Sequence, residues 1–349
     1  MKYEMRPCEE PLSHNFLSLM KPVTHLMCAR RCSWLLCICW LMVAEFCLPV
    51  LAQRGLYGFL RNEANARAAA MSGTFVSITN DVSALFYNPA TVSTIDSSEV
   101  SATFAKHALD INSGAVAYAI PLADLGFRDN GSFGVGVRYM NYGEFQRTDK
   151  NGNRTGTTFG GSDIALSFVY SNMLESTWHY GVAVKYIHNR LDNVGSAALA
   201  VDAGMVYRIP KARASIGVSV LHLGTQIHGL GGVREELPMD IRLGVNHALR
   251  GLPLLLSVSL NRLADPAPSF FDRFANVSVG GEILLTKFFH VRVGYENQRR
   301  RELAPELQPR LSGFSGGAGL ILPMLRVDYG VNSYGMVGLL HTISLSVRL

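Results

Sequence analysis

From residue 98 onward, apolar side chains fall at every second position in one short run after another. A strand turns successive side chains to opposite faces, so each run reads as a strand with one oily and one wet face. Fourteen such segments are predicted: 98–106, 112–120, 131–141, 161–171, 178–188, 198–207, 212–222, 239–247, 253–262, 274–285, 288–296, 312–321, 324–332 and 338–348. In the third, Phe133, Val135, Val137 and Tyr139 oppose Gly134, Gly136 and Arg138; in the eleventh, Phe289, Val291, Val293 and Tyr295 oppose His290, Arg292, Gly294 and Glu296. From the third segment on, long gaps follow odd-numbered strands and short gaps even-numbered ones. Strands of roughly 9–11 residues joined in this way predict an all-β, transmembrane, antiparallel up-and-down barrel of about 14 strands in a bacterial outer membrane. A soluble sandwich also alternates, but it seldom keeps one whole face of every strand apolar.

Composition sharpens this picture. Only 17% of the 349 residues are charged, low for a soluble domain. After residue 53 no stretch is long and apolar enough for a helical span. Residues 1–52 read as an export signal: Arg30 and Arg31 precede an apolar run from Trp34 to Phe46, and Val50-Leu51-Ala52 fits a small-residue cleavage site. Met27 offers an alternative start that gives a signal of ordinary length. All six cysteines (Cys8, Cys28, Cys32, Cys37, Cys39 and Cys47) precede that cleavage point, so the exported chain would need no disulfide and offer no thiol ligand. A net charge of +5 is mild and calls for no nucleic-acid partner.

Residues 53–97 differ from the barrel region at 98–349. Asn62 to Met71 is Ala-rich, with Glu63 four residues ahead of Arg67, a favourable helical spacing. Asp81 is placed to cap a second helical turn running to Phe86 and ended by Pro89. The segment is therefore expected to be a small helical plug within the barrel. The inward faces carry Arg138, Lys185, Asp202, Arg242, Arg292, Arg326 and Asp328, read either as a lumen network that holds the plug or as a path for an anionic or amphipathic solute.

Two blocks carry a resemblance. Asn65-Ala66-Arg67-Ala68-Ala69-Ala70-Met71-Ser72-Gly73, followed by Asn80-Asp81-Val82-Ser83-Ala84-Leu85-Phe86-Tyr87-Asn88-Pro89-Ala90, resembles the N-terminal signature of PorV/PorQ-type outer-membrane proteins, with Ser72 where that family usually has a second Gly. The runs Tyr139 to Phe145 and Gly294 to Leu303 resemble the PorQ branch. The resemblance implies a FadL-like barrel and a part in type IX secretion in bacteria of the Bacteroidetes type. Its implied partners are a PorZ-like surface protein, a PorV-like barrel and a sortase of a cell-surface attachment complex.

No catalytic or metal motif emerges. The histidines are scattered, and His222 and His228 sit beside Gly224 and Gly229 in what reads as a loop. No cofactor is expected, and no enzymatic activity. The candidate partner-binding residues lie in the long outer gaps: Phe145, Arg147, Arg154 and Phe159 in 142–160, and Arg299, Arg300, Arg301 and Arg310 in 297–311. Arginine with aromatics is an interface composition, although solvated charge facing lipopolysaccharide phosphates accounts for it equally well. The expectation is a non-enzymatic docking barrel of a secretion or attachment complex; the alternative is a FadL-like transport barrel for a hydrophobic or anionic small molecule.

Overall fold

The computed structural model describes residues 55–127, 129–229, 234–303, 311–335 and 338–349. Residues 1–54, which include the expected export signal and all six cysteines, and Arg310 lie outside the described residues.

Fourteen antiparallel strands close into one barrel in sequence order. They are β1 Glu99–Lys106, β2 Asn112–Pro121, β3 Ser132–Thr148, β4 Arg154–Glu175, β5 Trp178–Leu191, β6 Val194–Ile209 and β7 Ala214–His228. The second half comprises β8 Asp240–Ala248, β9 Leu254–Leu260, β10 Val277–Leu284, β11 Phe289–Glu296, β12 Phe314–Ile321, β13 Leu325–Ser333 and β14 Leu339–Arg348. The seam joins β1 to β14, with Glu99 opposite Arg348 and Lys106 opposite His341, so no edge strand is left open. The alternation is inverted relative to a soluble protein. Phe133, Val135 and Tyr139 face outward and are exposed, while Ser132, Gly134, Gly136 and Arg138 face inward and are buried. Only a lipid surround makes such an apolar outer face favourable. Aromatic pairs mark its margins: Trp178 stacks on Tyr207 at 4.5 Å near the short-turn rim, and Tyr295 meets Phe314 at 5.0 Å near the long-loop rim.

Three connections differ from expectation. Residues 142–160 do not form a long loop: β3 and β4 run on as a hairpin, with Phe145 opposite Phe159 and Thr148 opposite Arg154 beyond a register shift after Asn141. Both faces of that extension meet water, so it carries no apolar alternation, yet its Thr-rich backbone still pairs. Strand β7 likewise continues past 222 to His228, so His222 and His228 belong to a strand rather than a loop. A register shift between Val201 and Ala203 accommodates His222, whose φ is +61°. Third, helix α2 (Asn297–Leu303) stands on the long-loop rim where a plain loop is expected.

Residues 55–97 lie within the barrel and are almost entirely buried. Three buried polar side chains organise the segment as helix caps. Asn65 accepts from the Arg67 amide and starts α1 (Ala66–Ala70); Asp81 caps the 3-10 turn Val82–Phe86; Asn88 caps the 3-10 turn Pro89–Thr94. Glu63 therefore precedes α1 and cannot form the expected helical pair with Arg67. It accepts instead from the Tyr87 hydroxyl at 2.8 Å. Pro89 opens a further helical turn rather than merely ending the previous one. The inward glycines of the wall make room for this segment. A Cβ on Gly217 would stand 2.3 Å from the Val76 carbonyl oxygen, and one on Gly330 2.5 Å from that of Ala66.

Candidate functional site: the occupied lumen

At the short-turn end, the periplasmic side in such barrels, an ion-pair lattice ties the inner segment to the wall. Arg67 of α1 reaches Asp81 at 3.0 Å and Glu282 of β10 at 2.5 Å. Arg326 of β13 contacts Asp81 at 2.9 Å and Asp328 at 3.0 Å. Arg292 of β11 bridges Glu282 and Asp328 at 2.7 Å each. Each charge thus meets at least two opposite ones, which makes burial of so many ions tolerable. Burial opposes ionisation of Asp81, but Arg326 and Arg67 outweigh it and hold its carboxyl at about 2. Glu63 moves the other way: burial, then the nearby Glu296, pushes its carboxyl up.

The middle of the lumen carries a second charged layer. Lys185 donates to Asp202 at 2.7 Å and lies 3.0 Å from His222 Nδ1, while the His222 amide donates to Asp202 at 2.7 Å. All three are about 2% exposed or less. Arg242 pairs with Asp240 at 2.7 Å and lies over the Tyr87 ring. Arg138 donates to the carbonyls of Leu60, Phe59 and Asn62, thereby fixing the start of the inner segment to β3.

Above this layer, toward the long-loop rim, the lumen turns apolar. Tyr57, Phe59 and Leu60 pack against Met140, Ala165, Ile187, Ala198, Ala200 and Leu237 of the wall and the β7–β8 connection. Polar contacts from the outer loops fasten the same segment. Glu235 accepts from the Leu56 amide at 2.7 Å, Arg61 pairs with Asp265 at 2.5 Å, and the Tyr57 hydroxyl lies 2.9 Å from Ser196 Oγ. This apolar chamber, filled by the protein's own chain, is the smaller of two apolar clusters; Met71, Phe75, Ile78, Val82, Leu85 and Phe86 of the same segment form a larger one with Ala115, Ala117, Ala119, Val169 and Ala183 of the wall.

All seven inward charges singled out in the sequence face the lumen. They form four groups rather than one network: Arg292, Arg326 and Asp328 with the inner segment, Lys185 with Asp202, Arg138 with the Leu60 carbonyl, and Arg242 with Asp240. Sequence reasoning missed Asp81, Glu282, Glu99, Asp240 and His222 as members. The inward parity of Glu99, Asp240 and Glu282 was the available signal. Of the outer residues, the tilted rings of Phe145 and Phe159 meet at 5.5 Å, and Arg147 lies over Phe159 and pairs with Asp192 at 2.6 Å; Arg154 is exposed. Arg300 and Arg301 are exposed on α2. Arg299 departs from the expectation of an outer-loop residue open to a partner: α2 turns it inward, where it is buried, pairs with Glu296 at 2.5 Å and covers the Tyr334 ring.

No family model and no curated protein matches the chain. Solved structures do. The toluene transporter TbuX of Ralstonia pickettii superposes with a TM-score of 0.56 at 13% identity, covering 83% of this chain and 99% of that one. The toluene transporter TodX of Pseudomonas putida gives 0.53 at 13% identity, over 82% and 97%. A FadL homologue of Pseudomonas aeruginosa gives 0.52 at 13%, over 83% and 99%. The fold is thus a FadL-like outer-membrane barrel. These neighbours also correct the functional expectation: they are named as transporters and a FadL homologue, which matches the transport alternative and not a docking role in secretion or attachment.

Proposed function

We propose that this protein is a non-enzymatic outer-membrane transport barrel for a small hydrophobic molecule, exported with cleavage after Ala52. The observation that carries the proposal is the apolar chamber in the outward half of the lumen. Apolar packing also holds the inner segment elsewhere, around Phe75, Leu85 and Phe86; what singles this cluster out is its place beneath the long-loop rim, where a solute from outside arrives first. A barrel that takes up oily solutes needs such a compartment, because a pocket lined by apolar side chains recovers the solvation free energy of the solute. In the resting state Tyr57, Phe59 and Leu60 occupy it. A solute entering from the long-loop side competes with those side chains, and the segment's hold on Glu235 and Asp265 is the contact to be released.

The test is uptake of the membrane-partitioning fluorophore 1-N-phenylnaphthylamine by cells with an intact lipopolysaccharide barrier. Expression of the barrel speeds the fluorescence rise over that of cells lacking it, and deletion of residues 55–61 speeds it further. Equal rates in all three strains contradict the proposal. N-terminal sequencing of the exported protein checks the cleavage.

A further inference from the structure

A cavity of about 230 Å³ opens at the short-turn mouth, between the inner segment and the ends of β6, β7 and β8. Its polar lining is cationic: Arg67 from α1, Arg208 at the end of β6, and Arg213 in the β6–β7 turn. Among the described residues no carboxylate lines it. Arg67 is already neutralised by Asp81 and Glu282. Arg208 and Arg213 form no ion pair with any described residue, although Arg208 is only half-exposed and points into the lumen. The polar side chains beneath are committed elsewhere: Ser215 Oγ and Asn246 Nδ2 both donate to the Ser77 carbonyl at 2.7 Å. Apart from Thr79, the remaining lining is apolar, with Ile78, Ile209 and Leu255.

We propose that this cavity is an exit site for an amphipathic organic anion: a carboxylate held by Arg208 and Arg213, with a small apolar body lying against Ile78 and Leu255. Two arginines without partners at a half-enclosed wall are the arrangement that recognises carboxylate, because a guanidinium presents paired donors to two oxygens. The volume suits such a body, since a dry cavity of about 150 Å³ already holds benzene. The apolar lining distinguishes the site from a general phosphate patch. The site lies at the opposite end of the lumen from the chamber at Tyr57 to Leu60, and it deepens the transport reading, on which it rests: the cargo passing out at this end has an apolar body and carries an anionic head.

Binding to the protein purified from the outer membrane in detergent, followed by calorimetry, tests the site separately from transport. Benzoate binds the native protein, at least tenfold more tightly than acetate. The R208Q/R213Q variant binds benzoate at least tenfold more weakly, and R208K/R213K, which keeps the charge but loses the paired donors, falls between it and the native protein. Heat-modifiable gel migration verifies that each variant keeps its barrel. Benzoate affinity unchanged in R208Q/R213Q overturns the assignment of the arginines. Equal affinity for acetate and benzoate, or displacement of benzoate by an equimolar amount of inorganic phosphate, overturns the amphipathic specificity. Arginine-dependent benzoate binding without faster fluorophore uptake in cells leaves the site standing and removes the transport reading instead.

Discussion

Replacing Arg67 with Met removes the cation that joins the inner segment to the wall while keeping most of the side chain's bulk. The guanidinium contacts Asp81 at 3.0 Å and Glu282 at 2.5 Å, and it also lies 5.6 Å from the centre of the Phe75 ring. Its loss does not strand either carboxylate, because Arg326 remains 2.9 Å from Asp81 and Arg292 remains 2.7 Å from Glu282. The cost therefore falls at the low end of the range for breaking a buried pair, about 3 kcal/mol. That energy belongs to docking of the segment and not to the strand ladders, none of which Arg67 joins. Hydrogen exchange by mass spectrometry separates the two. Peptides covering α1, whose Ala69 amide donates to the Asn65 carbonyl at 2.9 Å, exchange on the order of a hundredfold faster in R67M, while peptides from β4 to β7 are unchanged. Unchanged exchange in α1 would refute the view that the lattice latches the segment. Equal acceleration throughout the barrel would show that segment and wall open as one unit.

Acid loosens the same latch. Because the folded-state carboxyl of Asp81 is held at about 2, below its ordinary value, its contribution is fully present above about pH 4 and is lost as pH falls toward 2. Reactivity of a cysteine placed at Ala68, followed with 4,4′-dithiodipyridine, rises across that window, and D81N abolishes the pH dependence. In the middle layer, K185M leaves Asp202 buried beside His222 and costs about 3–5 kcal/mol, whereas K185M/D202L regains most of it; denaturant unfolding in detergent compares the two. A Cβ on Gly181 would stand 2.5 Å from the Pro89 carbonyl, so G181A costs about 1–3 kcal/mol and speeds exchange at Pro89–Thr94 more than in the neighbouring strands.

The strands were legible because lipid imposes the strongest pattern a sequence can carry: an apolar residue at every second position for the depth of the bilayer. All fourteen predicted segments have a counterpart in the barrel. Legibility stopped where that constraint stopped. Beyond the bilayer, Glu144 to Thr148 pairs with Arg154 to Gly160 with both faces wet, and the composition reads as loop. At Glu63 and Arg67 the spacing was helical, but the cap at Asn65 starts the helix two residues after Glu63 and breaks the pair. At Arg299 three consecutive arginines suggested an exposed loop open to a partner. The short helix that turns one of them over Tyr334 is set by the barrel rim, which local sequence does not encode. The lumen was half legible: parity shows which charges face inward, but the partner of Glu282 lies 215 residues away in the inner segment. The apolar chamber was not legible at all, because its small wall residues Ala165, Ala198 and Ala200 look like ordinary lumen filling until the segment is placed against them.

The central claim is that a hydrophobic solute and the segment at Leu56 to Leu60 compete for one chamber. Leu60 is 1% exposed, and the chain after Cys47 has no cysteine, so the L60C variant of residues 53–349 reports that site alone. The decisive measurement is its rate of thiol labelling as toluene is titrated. The account predicts a rate that rises and saturates with toluene as the segment is displaced. A rate that stays flat while toluene binding is demonstrated by calorimetry would contradict it.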